Sequence, residues 1–270
     1  MDARNLSLET IALSWPNEQV AMAMLNRPDR LNSMTTRMFH ELEELALALN
    51  EDDDVRVLVL AGAGKTFCAG YDLDDAEELS SLSAMGMLDR QELAARGLAA
   101  IRALRIPVIA AIDGAAAGGG LSLALAADIR IGTPRARFNA AFVRIGLSAG
   151  DLGASWMLTR IVGPGLAAEL AYTGRFLEAE EAEHLGVLNK VVPTETLMEE
   201  ALAMAGAICA NSPAGVQLSK RALQANMEVS SYAAALELEN RGQALLTRGS
   251  DMPEALAAFR EKRRPRFSGR

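Results

Sequence analysis

Cysteine and histidine are scarce in this sequence of 270 residues, which holds two of each. Cys68 and Cys209 lie far apart along the chain, and so do His40 and His184. A structural zinc site needs four such ligands at short local spacings, so no metal site is predicted. A disulfide framework is equally unsupported, which fits a reducing compartment. We expect a cytoplasmic protein with neither a metal nor a redox cofactor.

Long hydrophobic runs and an excess of basic residues are also missing. The longest uncharged apolar stretch, residues 114–127, has 14 residues, whereas a helix needs about 20 to span a bilayer. The first ten residues include Asp2 and Glu9 and no apolar run, so no signal peptide is predicted. The net charge is −8, while nucleic-acid binders present a basic surface. We expect neither a membrane nor a nucleic acid as a partner.

The residues that are present predict an α/β fold. Hydrophobic residues make up 50% and charged residues 23% of the chain, as in a soluble globular protein. Apolar residues at steps of three or four predict a helix over 32–50, with Asn32 and Ser33 as its caps. Short apolar runs alternate with such helices over the first 140 residues, which indicates parallel strands joined by crossovers. The predicted strands are 10–14, 20–25, 55–60, 108–112 and 129–133.

The last third of the chain has a helical pattern. Residues 196–199 and 251–254 both have the spacing of a capping box, which marks the start of a helix. The proline that follows Ser212 is also typical of a helix start. We therefore expect a core over residues 1–195 and a helical C-terminal region over 196–270.

Two short motifs suggest activities that the surrounding sequence disfavours. Residues 62–66 (GAGKT) end like a phosphate-binding loop, but Val59 stands where that pattern needs its first glycine. Residues 146–150 (GLSAG) match the nucleophile elbow of serine hydrolases, which requires a later histidine on a loop. The later histidine here is His184, which lies in an acidic helical stretch. Both motifs are better interpreted as turns, and a serine hydrolase remains an alternative.

Two glycine-rich loops predict a site for an oxygen anion. Residues 67–73 (FCAGYDL) place small residues after a predicted strand, where a ligand can approach backbone N–H groups. The glycine triplet 118–120 opens a helix, whose free N–H groups and positive dipole end favour an anion. Two such loops at adjacent strand ends could each donate one N–H to the same oxygen, as for an enolate or a tetrahedral oxyanion. A third loop, 146–155, carries a single carboxylate, Asp151.

Together with other motifs, these loops resemble the enoyl-CoA hydratase/isomerase (crotonase) family over nearly the whole chain. The resemblance implies an α/β fold, a crotonase-like spiral of ββα units, with a helical C-terminal region that packs homotrimers, often paired into hexamers. It also implies an acyl-CoA thioester as the substrate. The motifs that carry it are LNRPDRLN (25–32), FCAGYDL (67–73), AAIDGAAAGGG (110–120), ADIRI (127–131), ARF (136–138), TGR (173–175), LGVLNKVVP (185–193), KRA (220–222) and AFREKR (258–263).

The same resemblance assigns roles to individual residues. The backbone N–H groups of Tyr71 and Gly119 would bind the thioester oxygen. Arg30 and Leu31 would lie along the nucleotide and pantetheine of CoA. Phe259 and Lys262, near the C-terminus, would contact the CoA that is bound in a neighbouring subunit. The residues that resemble substrate contacts are Arg30, Leu31, Ala69, Asp72, Leu73, Phe142, Phe259 and Lys262.

The chain departs from the hydratases of this family at two positions. Those enzymes use two glutamates, and Ser122 and Phe142 occupy the matching positions here. Adding water requires one group to activate the water and another to handle the α-proton, whereas one base can move a proton between carbons. Asp151 lies in the loop where proteins resembling dienoyl-CoA isomerases, naphthoate synthases and chlorobenzoyl-CoA dehalogenases carry a functional aspartate. We expect an isomerase-like or atypical hydratase activity.

Several alternatives stay open at this point. Asp151 could cap a helix over 152–158, with or without a catalytic role. Asp72, Asp74 and Asp75 are further candidate acids, although such a run of charge is usually a solvated face. The activity could instead be that of an acyl-CoA or C–C hydrolase, or the protein could bind CoA thioesters without catalysis.

Overall fold

The computed structural model describes residues 3–79 and 81–269, which form two β-sheets packed with helices. The strands are β1 (Ile11–Asn17), β2 (Val20–Leu25), β3 (Val57–Gly62), β4 (Val108–Ile112), β5 (Ala115–Ala117), β6 (Ile129–Gly132), β7 (Arg137–Asn139), β8 (Phe176–Glu178) and β9 (Lys190–Val191). The helices are α1 (Thr36–Glu51), α2 (Leu73–Leu79), α3 (Ala84–Arg102), α4 (Gly119–Ala126), α5 (Ala154–Ile161), α6 (Gly163–Thr173), α7 (Ala179–His184), α8 (Leu197–Cys209), α9 (Pro213–Asn226), α10 (Tyr232–Leu246) and α11 (Asp251–Glu261).

The larger sheet has the strand order β1-β2-β3-β4-β6-β9. Strands β1 and β2 are antiparallel, and each later pair of neighbours in this sheet is parallel. The smaller sheet has the order β5-β7-β8. The predicted alternation of parallel strands and crossovers is confirmed. Strands β5, β7, β8 and β9 were not predicted, because two or three residues are too few to show a hydrophobic pattern.

Both faces of the larger sheet are covered by helices. Every residue of β4 is buried, as is typical of a parallel strand with helices on both sides. Leu58 and Leu60 pack in the core with α1 and α3, while Val57 and Val59 pack on the opposite face against α8. Helix α8 therefore belongs to the packed core around the sheet. The division of the chain at 195/196 stays a prediction.

The first long helix begins later than its sequence pattern predicts. Helix α1 starts at Thr36 and is capped by Thr35, whose side chain accepts a hydrogen bond from the N–H of Met38. Asn32 is instead buried in a left-handed conformation, which asparagine tolerates. Its Nδ2 donates to the carbonyls of Ala63 (2.8 Å) and Thr66 (2.7 Å). The predicted cap therefore holds the turn that follows β3.

Helices begin at both predicted capping boxes, at Leu197 and Asp251, but the predicted capping hydrogen bonds do not form. The start of α8 has no side-chain cap, and the Thr196 hydroxyl donates to the carbonyl of Pro193 at 3.1 Å. Asp251 accepts hydrogen bonds from the hydroxyl of Ser212 (2.6 Å) and the N–H of Ser268 (2.9 Å), so it joins the starts of α9 and α11 to the C-terminal segment. The predicted helix start at Pro213 is confirmed, with Ser212 as its cap.

The C-terminal helices expose many apolar side chains. In the described part of the chain, Lys220 is the one buried residue of α9, and α10 has no buried residue. The large apolar residues exposed in this region include Leu223, Met227, Val229, Tyr232, Leu236, Leu238, Leu245, Met252, Leu256 and Phe259. Within residues 3–79 and 81–269, no helix is long and apolar enough to cross a membrane.

Candidate active site

The two glycine loops meet beside the carboxyl ends of β3 and β4. Cys68 donates its N–H to the carbonyl of Ala115 (3.0 Å) and accepts one from Ala117 (3.0 Å), which aligns the first loop with β5. Gly70 has φ +101°, and a Cβ there would lie 2.8 Å from the carbonyl oxygen of Ala117 and 3.4 Å from the nitrogen of Gly119. Only glycine fits this close approach without strain. The structure thus brings the two loops together, as the sequence predicts.

Two backbone N–H groups are available at this junction. Gly119 is the first residue of α4, so its N–H has no partner within the helix. In the described part of the chain, neither its N–H nor that of Tyr71 donates to another backbone carbonyl. The chain around Tyr71 is held by Met34, which donates its N–H to Gly70 (2.7 Å) and accepts one from Asp72 (2.9 Å). Such a pair of donors can bind one anionic oxygen.

The side chain of Tyr71 contributes to the wall rather than to the polar groups of the site. Its ring stacks on Phe39 of α1, with 5.9 Å between the ring centroids. Its hydroxyl is buried and has no hydrogen-bond partner among the described atoms. A Cβ on Gly119 would lie 3.1 Å from the sulfur of Met34 and 3.5 Å from Leu152. The space next to the two N–H groups is therefore bounded by apolar side chains.

Asp72 is a buried anchor of the first loop, and its interpretation as part of a solvated face is wrong. Its side chain is 3% exposed and accepts hydrogen bonds from Arg27 (2.7 Å) and the Ser33 hydroxyl (2.7 Å). Burial alone would raise the pKa of this carboxyl, but the donors Ser33 and Arg27 outweigh it and hold the pKa well below its usual value. Nearby, Asp75 accepts from the N–H of Thr36 at the start of α1 (2.9 Å).

Asp72→Asn is expected to destabilise the folded protein by about 1–3 kcal/mol, because Arg27 and Ser33 would lose hydrogen bonds to a charged group. The folded pKa of Asp72 is lowered, so its contribution is complete above the unfolded pKa of about 3.9 and is lost as the pH falls towards the folded pKa. Urea unfolding of both proteins at pH 7 and pH 3 measures this. The stability difference should shrink at pH 3, and an unchanged difference would contradict the assignment.

Other predicted substrate contacts lie together on the outer side of this loop. The N–H of Ala69 donates to the carbonyl of Leu31 at 3.0 Å. Leu31 and Leu73 are exposed, and Arg30 is 49% exposed and forms ion pairs with Asp74 and Asp72. The structure therefore gathers these residues into one surface beside the two N–H groups.

Phe259 and Lys262 lie apart from that surface within one protomer. Phe259 is 84% exposed, and Lys262 is exposed at the C-terminal end of α11. Described hydrogen bonds join this C-terminal region to the start of α9, through Asp251 and Ser212, and to Arg56, through the carbonyl of Phe267, and none joins it to the glycine loops. Their predicted contact with CoA in a neighbouring subunit stays a prediction.

The loop that carries Asp151 runs beside the start of α4. The hydroxyl of Ser122 donates to the backbone carbonyl of Asp151 at 3.3 Å, and the side chain of Gln91 donates to its carboxylate. Burial raises the pKa of the Asp151 carboxyl, and the hydrogen bonds from Gln91 and the Leu152 backbone offset part of that rise. Helix α5 is capped by Gly153, so the interpretation of Asp151 as a helix cap is wrong.

The two positions at which the resemblance predicts replaced glutamates, Ser122 and Phe142, both lie next to Gly118. Ser122 is buried on α4, and the ring of Phe142 is buried with its Cε1 3.9 Å from the Cβ position of Gly118. Neither side chain can act as a base at these positions. The sequence did not point to Gln91, because it lies 60 positions before Asp151 and has no local pattern.

The GLSAG segment does not form a nucleophile elbow. It follows a short 3-10 helix, Ala141–Ile145, whereas an elbow sits between a strand and a helix. The hydroxyl of Ser148 accepts a hydrogen bond from the N–H of Gly150 at 3.0 Å, and no described hydrogen bond links it to His184 on α7. The segment is a turn, as favoured from its sequence.

The described residues contain no group of three or more His, Cys, Asp or Glu side chains placed to hold a metal ion.

A comparison with models of known protein families shows which family the sequence of this chain matches. The family model described as enoyl-CoA hydratase/isomerase matches residues 16–270. The chain belongs to the enoyl-CoA hydratase/isomerase family. It is therefore an acyl-CoA enzyme, a lyase or isomerase, as the motifs of the sequence predict.

The relatives of this enoyl-CoA hydratase/isomerase family member include proteins named as hydratases and a protein named as an isomerase. The chain is 38% identical to "Probable enoyl-CoA hydratase EchA12" of Mycobacterium tuberculosis, over 97% of this chain and 94% of that protein. It is 37% identical to the 1,2-epoxyphenylacetyl-CoA isomerase of Escherichia coli, over 96% and 98%. The crystal structure of an enoyl-CoA hydratase from Bacillus anthracis superposes with a TM-score of 0.92 at 33% identity, covering 97% of this chain and all of that one. The fold is thus the crotonase fold, as predicted.

Proposed function

We propose that this family member is an isomerase-like acyl-CoA enzyme that stabilises a thioester enolate and moves a proton with one carboxylate. The N–H groups of Tyr71 and Gly119 would bind the thioester oxygen, and Asp151 would act as the base. The observation that carries the proposal is the meeting of the two glycine loops next to Leu152 and the loop of Asp151. Negative charge that develops on the oxygen would then face two preorganised donors.

Asp151 is suited to this work by its surroundings. Burial raises the pKa of its carboxyl, and a general base acts best when its pKa approaches the working pH. In the proposed reaction, Asp151 takes a proton from a carbon of the acyl group, and the electron pair is delocalised onto the thioester oxygen. Asp151 then returns the proton to another carbon, so a double bond moves and the enzyme ends in its starting state.

Addition of water is the second candidate reaction, and the relatives that bear the hydratase name favour it. Two carboxylates usually share that reaction, one on the water and one on the α-proton. Since Ser122 and Phe142 provide neither, a hydratase built on this site would use Asp151 for both tasks. Such an enzyme would be an atypical hydratase.

Incubation with crotonyl-CoA, a 3-enoyl-CoA and a dienoyl-CoA tests these proposals. We expect at least one isomerisation, in which the absorbance changes and the mass does not. A gain of about 18 mass units, the mass of one water, would identify a hydratase. Release of free CoA would identify a hydrolase. Tight binding of all three thioesters without turnover would favour a CoA-binding protein without catalysis.

We also propose that the protein forms homotrimers or hexamers through its C-terminal helices. Helix α10 has no buried residue in the described part of the chain, and the exposed leucines Leu236, Leu238 and Leu245 are more apolar surface than a single copy can cover. Light scattering at micromolar concentration should give three or six times the mass of one chain. Leu245→Lys should weaken the assembly, whereas Leu47→Lys on the exposed side of α1 should not. A monomeric wild-type protein would contradict the proposal.

A reducing, cytoplasmic location fits the two cysteines, and we propose it on that ground. Both are free thiols. Cys68 is buried, and burial raises its pKa to about 12. Burial likewise raises the pKa of Cys209, which is half-buried. Thiols held in the protonated form react slowly with oxidants, so neither is suited to a redox role.

A further inference from the structure

Asp151 receives a hydrogen bond from a helix that carries no recognised motif. The donor is the side-chain amide of Gln91 on α3, and the acceptor is the Oδ1 atom of Asp151. Among the described residues, no ion pair reaches this carboxylate. The contact joins two segments that are 60 positions apart in the sequence.

The packing of α3 fixes where Gln91 stands. The helix begins after Ser83, whose hydroxyl accepts the N–H of Gly86 at 3.1 Å. Its buried side contains Leu93, Ala94, Gly97, Leu98 and Ile101. A Cβ on Gly97 would lie 2.6 Å from the carbonyl oxygen of Phe39, so α3 and α1 approach each other closely along this side. Gln91 therefore projects from a helix whose position is set by the core.

Asp151 is held from two directions as a result. Gln91 of α3 holds its carboxylate, and Ser122 of α4 holds its backbone carbonyl at 3.3 Å. Leu152, the next residue in the chain, has a left-handed φ of 48° and packs towards Gly119. The carboxylate and the start of α4 are thus kept in a defined arrangement by two helices, α3 and α4.

We propose that Gln91 is a positioning residue, which orients the carboxylate of Asp151 for proton transfer and supports its ionised form. The inference rests on the proposed function, in which Asp151 is the base. A neutral amide is suited to this task because it orients a carboxylate without contributing a positive charge.

Asp72 shows what a cationic partner does instead. Arg27 and Ser33 hold its pKa well below the usual value, although the carboxyl is buried. Around Asp151, the groups that affect its pKa are the burial itself, the amide of Gln91 and the backbone of Leu152. No charged group of α3, α4 or α5 is among them. The carboxyl of Asp151 consequently keeps a raised pKa, while Asp72 stays too weak a base to accept a proton.

Two substitutions of Gln91 test the proposal on a substrate that the wild type converts. Gln91→Leu keeps the approximate size and removes the donor, and we expect kcat to fall by about 10-fold because a hydrogen bond to a charged group is lost. Its acidic limb in the pH profile of kcat/KM should move to higher pH. Gln91→Glu places a second carboxylate beside Asp151 and should move the limb further, since two close carboxylates share one proton. KM should change little in both variants.

The controls separate positioning from a general structural effect. Glu92→Gln changes the neighbouring exposed residue of α3 and should leave kcat and the pH profile as in the wild type. Adding Gln91→Leu to Asp151→Asn should cause no further loss of kcat, because the two residues act through one carboxylate. A 10-fold loss with an unmoved pH limb, or wild-type behaviour of Gln91→Leu, would overturn the inference. If Asp151→Asn itself remains fully active, the proposed function fails instead.

Discussion

Turnover by Gly119→Pro is expected to fall by about 10²–10³, the usual effect of removing one donor from an oxyanion site. Gly119 is the first residue of α4, and its N–H is one of two backbone donors at the junction of the glycine loops. Proline lacks this N–H but is well tolerated at the first position of a helix. The substitution therefore removes the donor at a place where the backbone can accept it. Steady-state kinetics on an accepted acyl-CoA, with circular dichroism to check folding, measures the effect.

Gly119→Ala is the matched control for this prediction. It retains the N–H, and its added Cβ would lie 3.1 Å from the sulfur of Met34, which belongs to a flexible side chain. We expect a much smaller loss of turnover than with proline. A folded Gly119→Pro protein with normal turnover would show that this N–H does not contribute to the reaction.

Asp151→Asn should lower turnover by about 10²–10⁴, the contribution typical of a general base. The change keeps the shape of the side chain and an oxygen that can accept from Gln91. Helix α5 is capped by Gly153, so the start of that helix does not depend on the carboxylate. Loss of activity would then report the missing base rather than a change in the fold.

Two measurements accompany Asp151→Asn. Binding of an unreactive acyl-CoA should change little, because backbone groups and the surface around Arg30 would hold the ligand. Asp89→Asn, which alters an exposed acid on α3, should keep normal turnover. Full activity of Asp151→Asn on the substrate of the wild type would exclude it as the base.

The main strands and the two glycine loops could be predicted because their signals are local. A run such as 108–112 is apolar throughout and is buried throughout. The glycines of 118–120 lie where a strand is followed by a helix, and close approach of two backbones leaves no room for a side chain. A Cβ on Gly120 would lie 2.2 Å from the carbonyl oxygen of Cys68. Requirements of this kind are visible in the residue types themselves.

Several polar residues were assigned the wrong local role because their partners are distant in sequence. Asn32 looked like a helix cap and instead holds carbonyls of the turn after β3. Asp72 looked solvated within an acidic run and instead is buried against Arg27, 45 positions earlier. A side-chain oxygen can accept from any nearby donor, so its local spacing does not reveal which donor the fold will supply.

The sequence by itself determined the family, the α/β order of the elements and the glycines that allow two loops to approach one another. Those features depend on steric limits and on hydrophobic patterns that act over a few residues. Only the tertiary structure decided that Asp151 would meet Ser122 and Gln91, and that its carboxyl would be partly buried with no cation among the groups that shift its pKa. A pKa depends on every group around the carboxylate, and these groups come from helices that the chain brings together only when the core packs.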